Sequence, residues 1–97
     1  PKIVLPEFNG GEHHVFHLFV IRTENRDKLQ NYLKENGIET LIHYPIAPHR
    51  QKALSAWNHL SFPITEKIHN EVLSIPISPL LTVAEVDFII NTINKWT

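Results

Sequence analysis

Residues 14–37 read HVFHLFVIRTENRDKLQNYLKENG, and this stretch decides the fold of the chain. Its first part, residues 14–21, is mainly aromatic and β-branched, which favours a strand, and both alternating faces are largely apolar. Such a strand is buried on both sides, and in a small domain the second side needs another layer or another polypeptide. Residues 25–36 then change to helical spacing and are followed by a glycine, a typical helix stop. The stretch predicts a strand followed by a helix.

The rest of the chain continues with short elements of both kinds. Residues 38–42 alternate in the manner of a second strand and run into a loop, residues 43–49, that contains two prolines. A short helical turn is predicted over residues 51–57, and a longer helix begins near Thr65. Residues 73–77 indicate a brief strand at an edge or end of the sheet, because the proline within it removes a backbone donor.

The last helix has the clearest local signals. Thr82 stands at the N-cap with Glu85 three residues later, which is the spacing of a capping box. Its apolar residues predict one buried stripe, made of Val86, Ile89, Ile90 and Ile93. The order of elements predicts an α+β fold, a two-layer sandwich in which helices pack on one side of a small, mainly antiparallel sheet.

Length and charge limit the classes of function. At 97 residues the chain makes a single domain, residues 1–97, with one modest core. A net charge of -1 provides no basic field for nucleic acid or an anionic membrane, so neither partner is expected. The absence of cysteine fits a reducing compartment, and no apolar run reaches the roughly 18 residues of a membrane span. We expect a soluble, cytoplasmic protein.

The chain contains no methionine and begins with Pro1. Translation therefore did not start within this sequence, and we expect either a piece of a longer protein or the loss of an initiator residue. A piece of a protein can carry part of a site.

Motifs for self-contained catalysis are missing from the sequence. Its serines stand in no G-x-S-x-G pattern, and its three glycines form no phosphate-binding loop. His13, His14 and His17 raise the hypothesis of a metal site, but neighbouring strand residues point to opposite faces. We therefore predict no catalytic residues and no metal site within the chain, and favour core or surface roles for these histidines.

The loop after the second predicted strand contains His43, Tyr44 and His49. Two prolines fix backbone φ angles there, so an imidazole and a phenol are presented with little entropy left to lose on binding. One interpretation is a polar recognition loop. The other is a rigid connector in which Tyr44 packs on its own core and the histidines are solvated, and residue types alone leave both open.

Two long segments carry a resemblance to a known family. They are HHVFHLFVIRTENRDKLQNYLKENGIETLIHYPIAPHRQKA, residues 13–53, and FPITEKIHNEVLSIPISPLLTVAEVDFIINTI, residues 62–93. The motifs H-x-F-x-I-R, H-Y-P-x-x-x-H, F-P-x-T-E and L-S-I-P-I-S-P occur in family order. The chain thus resembles the C-terminal small domain of the DegT/DnrJ/EryC1/StrS sugar aminotransferases. Within that family it looks most like the transaminases of dTDP-3-amino-3,6-dideoxyhexoses.

This resemblance implies a pyridoxal 5'-phosphate enzyme that works as a homodimer and moves an amino group from L-glutamate to a keto-6-deoxyhexose nucleotide. In the family, the lysine that holds the cofactor and the aspartate at its ring nitrogen lie in the large domain of the same polypeptide. No cofactor is therefore expected on this chain, and neither Asp27 nor Asp87 takes the aspartate's role. What carries over is substrate binding by His43 and Tyr44, with His49 more suited to fixing the loop.

Two functions follow as hypotheses. The first is a substrate-contacting part of a sugar-nucleotide transaminase that is inert alone. The alternative is a free-standing small protein-interaction module that shares the fold but not the reaction. An upstream large domain with a lysine motif would favour the first, and a start codon directly before Pro1 would favour the second.

Overall fold

The computed structural model describes residues 2–97. In chain order its elements are β1 (Phe19–Arg22), α1 (Arg26–Glu35), a 3-10 helix (Pro48–Arg50), a second 3-10 helix (Lys52–Trp57), α2 (Pro63–Glu71), β2 (Val72–Ile75) and α3 (Val83–Asn94).

The sheet is built from β1 and β2, which pair antiparallel with Ile21 opposite Leu73. Each strand also has a single bridge on its outer side. Val4 pairs with Arg22 on β1, and Leu41 pairs with Ser74 on β2. The sheet therefore consists of one antiparallel pair with a short bridged segment along each edge.

The core lies between the sheet and α1. Leu29 and Leu33 are four residues apart on one helix face, and both are completely buried. They pack against Ile21 and Leu73, which are 1% and 0% exposed, and against Ile38. Partly buried side chains surround this cluster. They are Ile89 and Ile93 from α3, Trp96 two residues beyond its end, and Ile3, Phe19, Tyr32, Ile42 and Ile75.

The predicted α+β fold, a small antiparallel sheet with helices packed on it, is confirmed. The helix predicted over residues 25–36 is α1, and Gly37 after it has a φ of 79°, in the left-handed region where glycine is favoured. The capping box is also present. The Glu85 amide donates to Thr82 Oγ1 at 3.2 Å, and the Thr82 amide donates to Glu85 Oε1 at 3.0 Å.

The strand predicted over residues 14–21 is shorter than expected and begins only at Phe19. Phe16 has a φ of 48°, and its amide donates to His14 Nδ1 at 3.0 Å. This local bond occupies the Phe16 amide, which is then not available to a strand partner, and residues 14–18 form an irregular segment that ends in bends at 17 and 18. Ile21 is buried whereas Val20, on the opposite face, is only half-buried, so within residues 2–97 the second side of the strand is not fully covered.

The second strand, predicted over residues 38–42, is reduced to the bridge at Leu41. The Ile38 amide donates to the Leu33 carbonyl at 2.8 Å and so completes the end of α1. An amide that closes a helix cannot also begin a ladder. Only the Leu41 amide and carbonyl remain aligned with Ser74, at 3.1 and 2.8 Å.

The predicted buried stripe of α3 is only half correct. Ile89 and Ile93 pack against the core, but Val86 and Ile90 are 39% and 49% exposed. The small core touches one side of α3, and a wider stripe would need a second apolar surface to cover it. Within residues 2–97, nothing covers that second side.

Candidate functional site

The candidate site is the loop between the Leu41 bridge and the 3-10 helix Pro48–Arg50. Pro45 and Pro48 lie within it, and Pro48 opens the 3-10 helix, where a missing amide donor costs least. The loop is therefore anchored by sheet pairing at one end and by a helical turn at the other.

His43 is held against the sheet. Its Nδ1 atom lies 2.8 Å from Ser74 Oγ on β2, and the side chain is half-buried. Side chains alternate along a strand, so Ser74 points away from the core face on which Leu73 lies. Among residues 2–97, the other ring nitrogen, Nε2, has no hydrogen-bond partner and remains able to bind a polar ligand.

Tyr44 projects outward from the loop and is 62% exposed. Its ring stands edge-on to that of His43, with 5.3 Å between the ring centroids. Its carbonyl accepts a hydrogen bond of 2.5 Å from His69 Nδ1 on α2. The backbone is thus fixed while the phenol faces solvent, and Tyr44 does not pack in the core as a plain connector would require.

His49 lies on the inner side of the loop and is 4% exposed. Its ring meets Phe62 edge-on at a centroid distance of 4.9 Å. Its Nε2 atom is 3.4 Å from Glu66 Oε1, and within residues 2–97 this nitrogen has no hydrogen bond of good geometry. The structure brings His43 and Tyr44 together near the surface and buries His49 separately, against Phe62 and Glu66.

Glu66 in α2 binds the end of the loop. Its Oε1 atom accepts from Arg50 Nη2 at 2.7 Å and from Arg50 Nε at 3.1 Å. Its Oε2 atom accepts from the Phe62 amide at 3.1 Å. The bonded Arg50 guanidinium, with smaller contributions from His49 and the Phe62 amide, lowers the pKa of the Glu66 carboxyl against a partial desolvation that raises it.

Sequence reasoning gave no role to Glu66, His69 or Ser74. An acidic residue soon after the proline at the start of α2 was a usable signal for Glu66, since carboxylates favour the first turn of a helix. No local signal pointed to His69 or Ser74. Their partners in the loop are 25 and 31 residues away along the chain.

A groove of about 780 Å³ runs past His43 and Ser74. This volume is in the range of small-molecule sites, which are usually apolar with a few polar groups. Most of its walls are apolar, and α3 forms one of them with Leu81, Ala84 and Phe88. Polar groups in the groove come from His17, Glu39, Thr40, His43, Ser74 and Glu85.

The described residues do not fit pyridoxal phosphate. Every lysine in residues 2–97 is exposed, and none lines the groove. Lys67, for example, pairs with Glu71 at 3.5 Å on the surface of α2. Asp27 and Asp87 are exposed as well, as expected for a helix start and for an outer helix face. No group of three metal-ligating side chains occurs in this part of the chain either.

None of the helices in residues 2–97 is both long and apolar enough to cross a membrane.

Comparison with known proteins identifies the family of this chain. The family model for the DegT/DnrJ/EryC1/StrS aminotransferase family matches residues 1–94. The chain is 50% identical, over 99% of its length and 26% of the relative's, to a dTDP-3-amino-3,6-dideoxy-alpha-D-galactopyranose transaminase from Aneurinibacillus thermoaerophilus. It is 38% identical, over 99% of its length and 26% of the relative's, to a dTDP-3-amino-3,4,6-trideoxy-alpha-D-glucose transaminase from Streptomyces venezuelae.

Solved structures of related proteins point to the same family. Streptomyces venezuelae DesV, crystallised in complex with a ketimine intermediate, superposes with a TM-score of 0.90 at 37% identity, over 99% of this chain and 26% of that one. The Bacillus subtilis protein ntda, with bound cofactor PMP, gives a TM-score of 0.82 at 36% identity, over 95% and 22% of the two chains. The chain spans about a quarter of the length of these relatives. On the family match and these similarities, the chain belongs to the DegT/DnrJ/EryC1/StrS aminotransferase family.

Proposed function

We propose that residues 1–97 are the C-terminal small domain of a longer sugar-nucleotide aminotransferase and supply part of its substrate site. The observation that carries the proposal is 50% identity, over 99% of the chain, to a transaminase whose name specifies a dTDP-linked amino sugar. Because the alignment covers 99% of the chain, it includes the loop at His43 and Tyr44 as well as the core.

The proposed reaction moves an amino group from L-glutamate to a keto-6-deoxyhexose carried on a nucleotide. Pyridoxal 5'-phosphate supplies the electron sink for such transfers, and the protein supplies binding and orientation. The residues that hold the cofactor belong, in this proposal, to the large domain of the same polypeptide, since the described lysines are exposed. A related solved structure that carries the cofactor PMP supports the same cofactor class here.

In this reaction His43 and Tyr44 bind the substrate. A sugar nucleotide offers hydroxyl groups and phosphate oxygens, and both an imidazole N–H and a phenol O–H can donate to them. His43 Nδ1 is engaged with Ser74, so Nε2 is the ring atom left for the ligand. His49 is only 4% exposed, and its part is to fix the loop from below.

Two protein partners complete the proposal: the large domain of the same polypeptide and a second copy in a homodimer. Exposed apolar side chains on α3 support a covering surface, among them Val83 at 79%, Phe88 at 52% and Ile90 at 49%. An isolated soluble domain rarely leaves several large apolar side chains of one helix exposed to solvent. The complete enzyme is proposed to act in the cytoplasm, and residues 1–97 are proposed to be inert alone.

The test compares the complete protein with residues 1–97. Each is incubated with pyridoxal phosphate and dialysed, and its absorbance is then recorded before and after L-glutamate is added. The complete protein should retain the cofactor, change its spectrum with glutamate, and aminate a dTDP-linked 3-keto-6-deoxyhexose. Residues 1–97 should do none of these.

A complete protein that neither retains the cofactor nor aminates the sugar nucleotide would contradict the proposal. A reading frame that encodes nothing beyond this domain would instead favour the free-standing interaction module.

A further inference from the structure

We propose that Glu66 is a positioning residue for the substrate loop, holding residues 43–50 through Arg50 and His49 without touching the substrate. The inference rests on the proposed function, in which His43 and Tyr44 bind the sugar nucleotide. It assigns a role to a side chain outside the loop.

The first support is the number of groups that one carboxylate joins. Glu66 Oε1 accepts two hydrogen bonds from Arg50, at 2.7 and 3.1 Å, and Oε2 accepts the Phe62 amide at 3.1 Å. Charge-assisted bonds of this kind are shorter and more directional than neutral ones. The end of the loop is therefore bonded to the start of α2 in one defined geometry.

The second support is the environment of His49. Its Nε2 atom is buried, has no hydrogen bond of good geometry within residues 2–97, and faces Glu66 Oε1 at 3.4 Å. A buried polar atom without a partner is unfavourable, and the nearby negative charge offsets this. Without the Glu66 charge, the buried His49 Nε2 atom would lose this compensating contact.

A closed set of contacts surrounds these two residues. Arg50 Nη1 donates to the Asn58 carbonyl at 2.8 Å, and Asn58 Nδ2 donates to the His49 carbonyl at 2.7 Å. Glu66, Arg50, Asn58 and His49 therefore form a ring of side-chain and backbone contacts. Such networks fix a conformation more strongly than separate pairs do.

The same helix also fastens the tip of the loop. His69 lies three residues after Glu66, on the same face of α2, and donates to the Tyr44 carbonyl at 2.5 Å. Glu66 and His69 thus support the two ends of the segment from Tyr44 to Arg50. A change at Glu66 is transmitted to Tyr44 through this short, proline-stiffened segment.

The expected effect is on substrate geometry more than on stability. Partly exposed ion pairs contribute little to folding, and Arg50 and Glu66 side chains are 45% and 28% exposed. A small displacement of a group that positions the substrate, in contrast, can cost up to about a hundredfold in kcat/KM, and where that group only binds the substrate the loss appears in the KM. Glu66→Gln is therefore expected to raise the KM for the sugar nucleotide.

The experiment uses the complete enzyme and a dTDP-linked 3-keto-6-deoxyhexose. For Glu66→Gln we expect a KM for the sugar nucleotide about tenfold above that of the wild type, within the range of such displacements. The KM for L-glutamate should stay unchanged, because the proposed function gives the loop contacts to the sugar nucleotide and none to glutamate. Arg50→Gln should have the same effect, and the double variant should be no worse than either single variant, since both remove one interaction.

Glu71→Gln is the matched control. Glu71 ends the same helix and is paired with Arg22 at 2.7 Å, away from the loop. The Glu71→Gln variant should lower the thermal midpoint of unfolding without raising the KM for the sugar nucleotide. An equal rise in KM for Glu71→Gln, or an unchanged KM for Glu66→Gln, would overturn the inference.

Hydrogen exchange gives a readout that does not depend on activity. The amides of Arg50 and Gln51 donate to the carbonyls of Ala47 and Pro48 at 2.9 and 3.2 Å. Both should exchange faster in Glu66→Gln than in Glu71→Gln. If these amides exchange faster in Glu66→Gln but the complete wild-type protein has no transaminase activity, the positioning role is retained and the proposed function is refuted. If their exchange in Glu66→Gln is unchanged, the positioning role itself is refuted.

Discussion

His43 Nδ1 lies 2.8 Å from Ser74 Oγ, so the first residue of the loop over residues 43–50 is bonded to the middle of β2. Ser74 is also the residue whose backbone pairs with Leu41, two residues before His43. One strand position therefore fixes both the path of the chain into the loop and the direction of its first side chain.

Replacement of Ser74 by alanine should free the His43 ring. The loss of one such hydrogen bond changes stability by about 0.5–1.5 kcal/mol, so the fold should persist. The KM for the sugar nucleotide should rise several-fold in the complete enzyme, because the imidazole no longer has a fixed orientation. Ser61→Ala, at an exposed position, is the control and should leave the KM unchanged. Equal KM values for Ser74→Ala and the wild type would contradict the assignment of His43.

Changes at the tip of the loop should separate substrate binding from cofactor binding. Tyr44→Phe removes only a hydroxyl from a side chain that is 62% exposed, so folding should be unaffected. Tyr44→Phe and His43→Ala should each reduce sugar-nucleotide turnover in the complete enzyme while retaining pyridoxal phosphate. Steady-state kinetics and the absorbance of the bound cofactor measure the two properties in one preparation. Joint loss of both properties would point to a folding role.

The core can be tested with two matched leucine substitutions. Leu29 is fully buried against Ile21 and Leu73, whereas Leu80 is 87% exposed. Leu29→Ala should lower the free energy of unfolding by about 2–5 kcal/mol, since it removes buried methyl groups and leaves a cavity. Leu80→Ala should change it by less than about 0.5 kcal/mol. Denaturant titration of both variants measures the difference, and similar midpoints would argue against the core as described.

Acid should weaken the carboxylate contacts of α2. The hydrogen bond from Arg22 lowers the pKa of Glu71, as the bond from Arg50 lowers that of Glu66. A carboxyl with a lowered folded-state pKa stabilises the protein above its unfolded pKa, about 4.3 for glutamate. That contribution is lost as the pH falls below this value and through the folded pKa. Stability should therefore decrease progressively as the pH falls below about 5.

Variants identify the groups responsible for this decrease. Glu66→Gln and Glu71→Gln should each show a shallower decrease in the thermal midpoint over the same pH range, since each lacks one of the carboxyls that must be protonated. Leu29→Ala lowers stability without removing a charge and should keep the wild-type slope. A wild-type slope in both glutamine variants would show that other groups control the acid response.

The local parts of the fold were predictable from sequence. The helix that became α1, its stop at Gly37 and the capping box of Thr82 and Glu85 all depend on residues within four positions of one another. Such interactions form in any context that allows the helix. The His43–Tyr44 motif was found for the same reason, because its stiffness comes from prolines within the loop.

The amino-acid sequence by itself thus determined the α+β class, the position of α1 with its stop at Gly37, the capping box of α3, and the family to which the chain belongs. The tertiary structure decided where β1 begins, that Ile38 closes α1 instead of starting a strand, and that His49 is buried beside Glu66. The physical reason is distance along the chain. Glu66 meets Arg50 across 16 residues and Ser74 meets His43 across 31, so these contacts exist only once the sheet and α2 have packed.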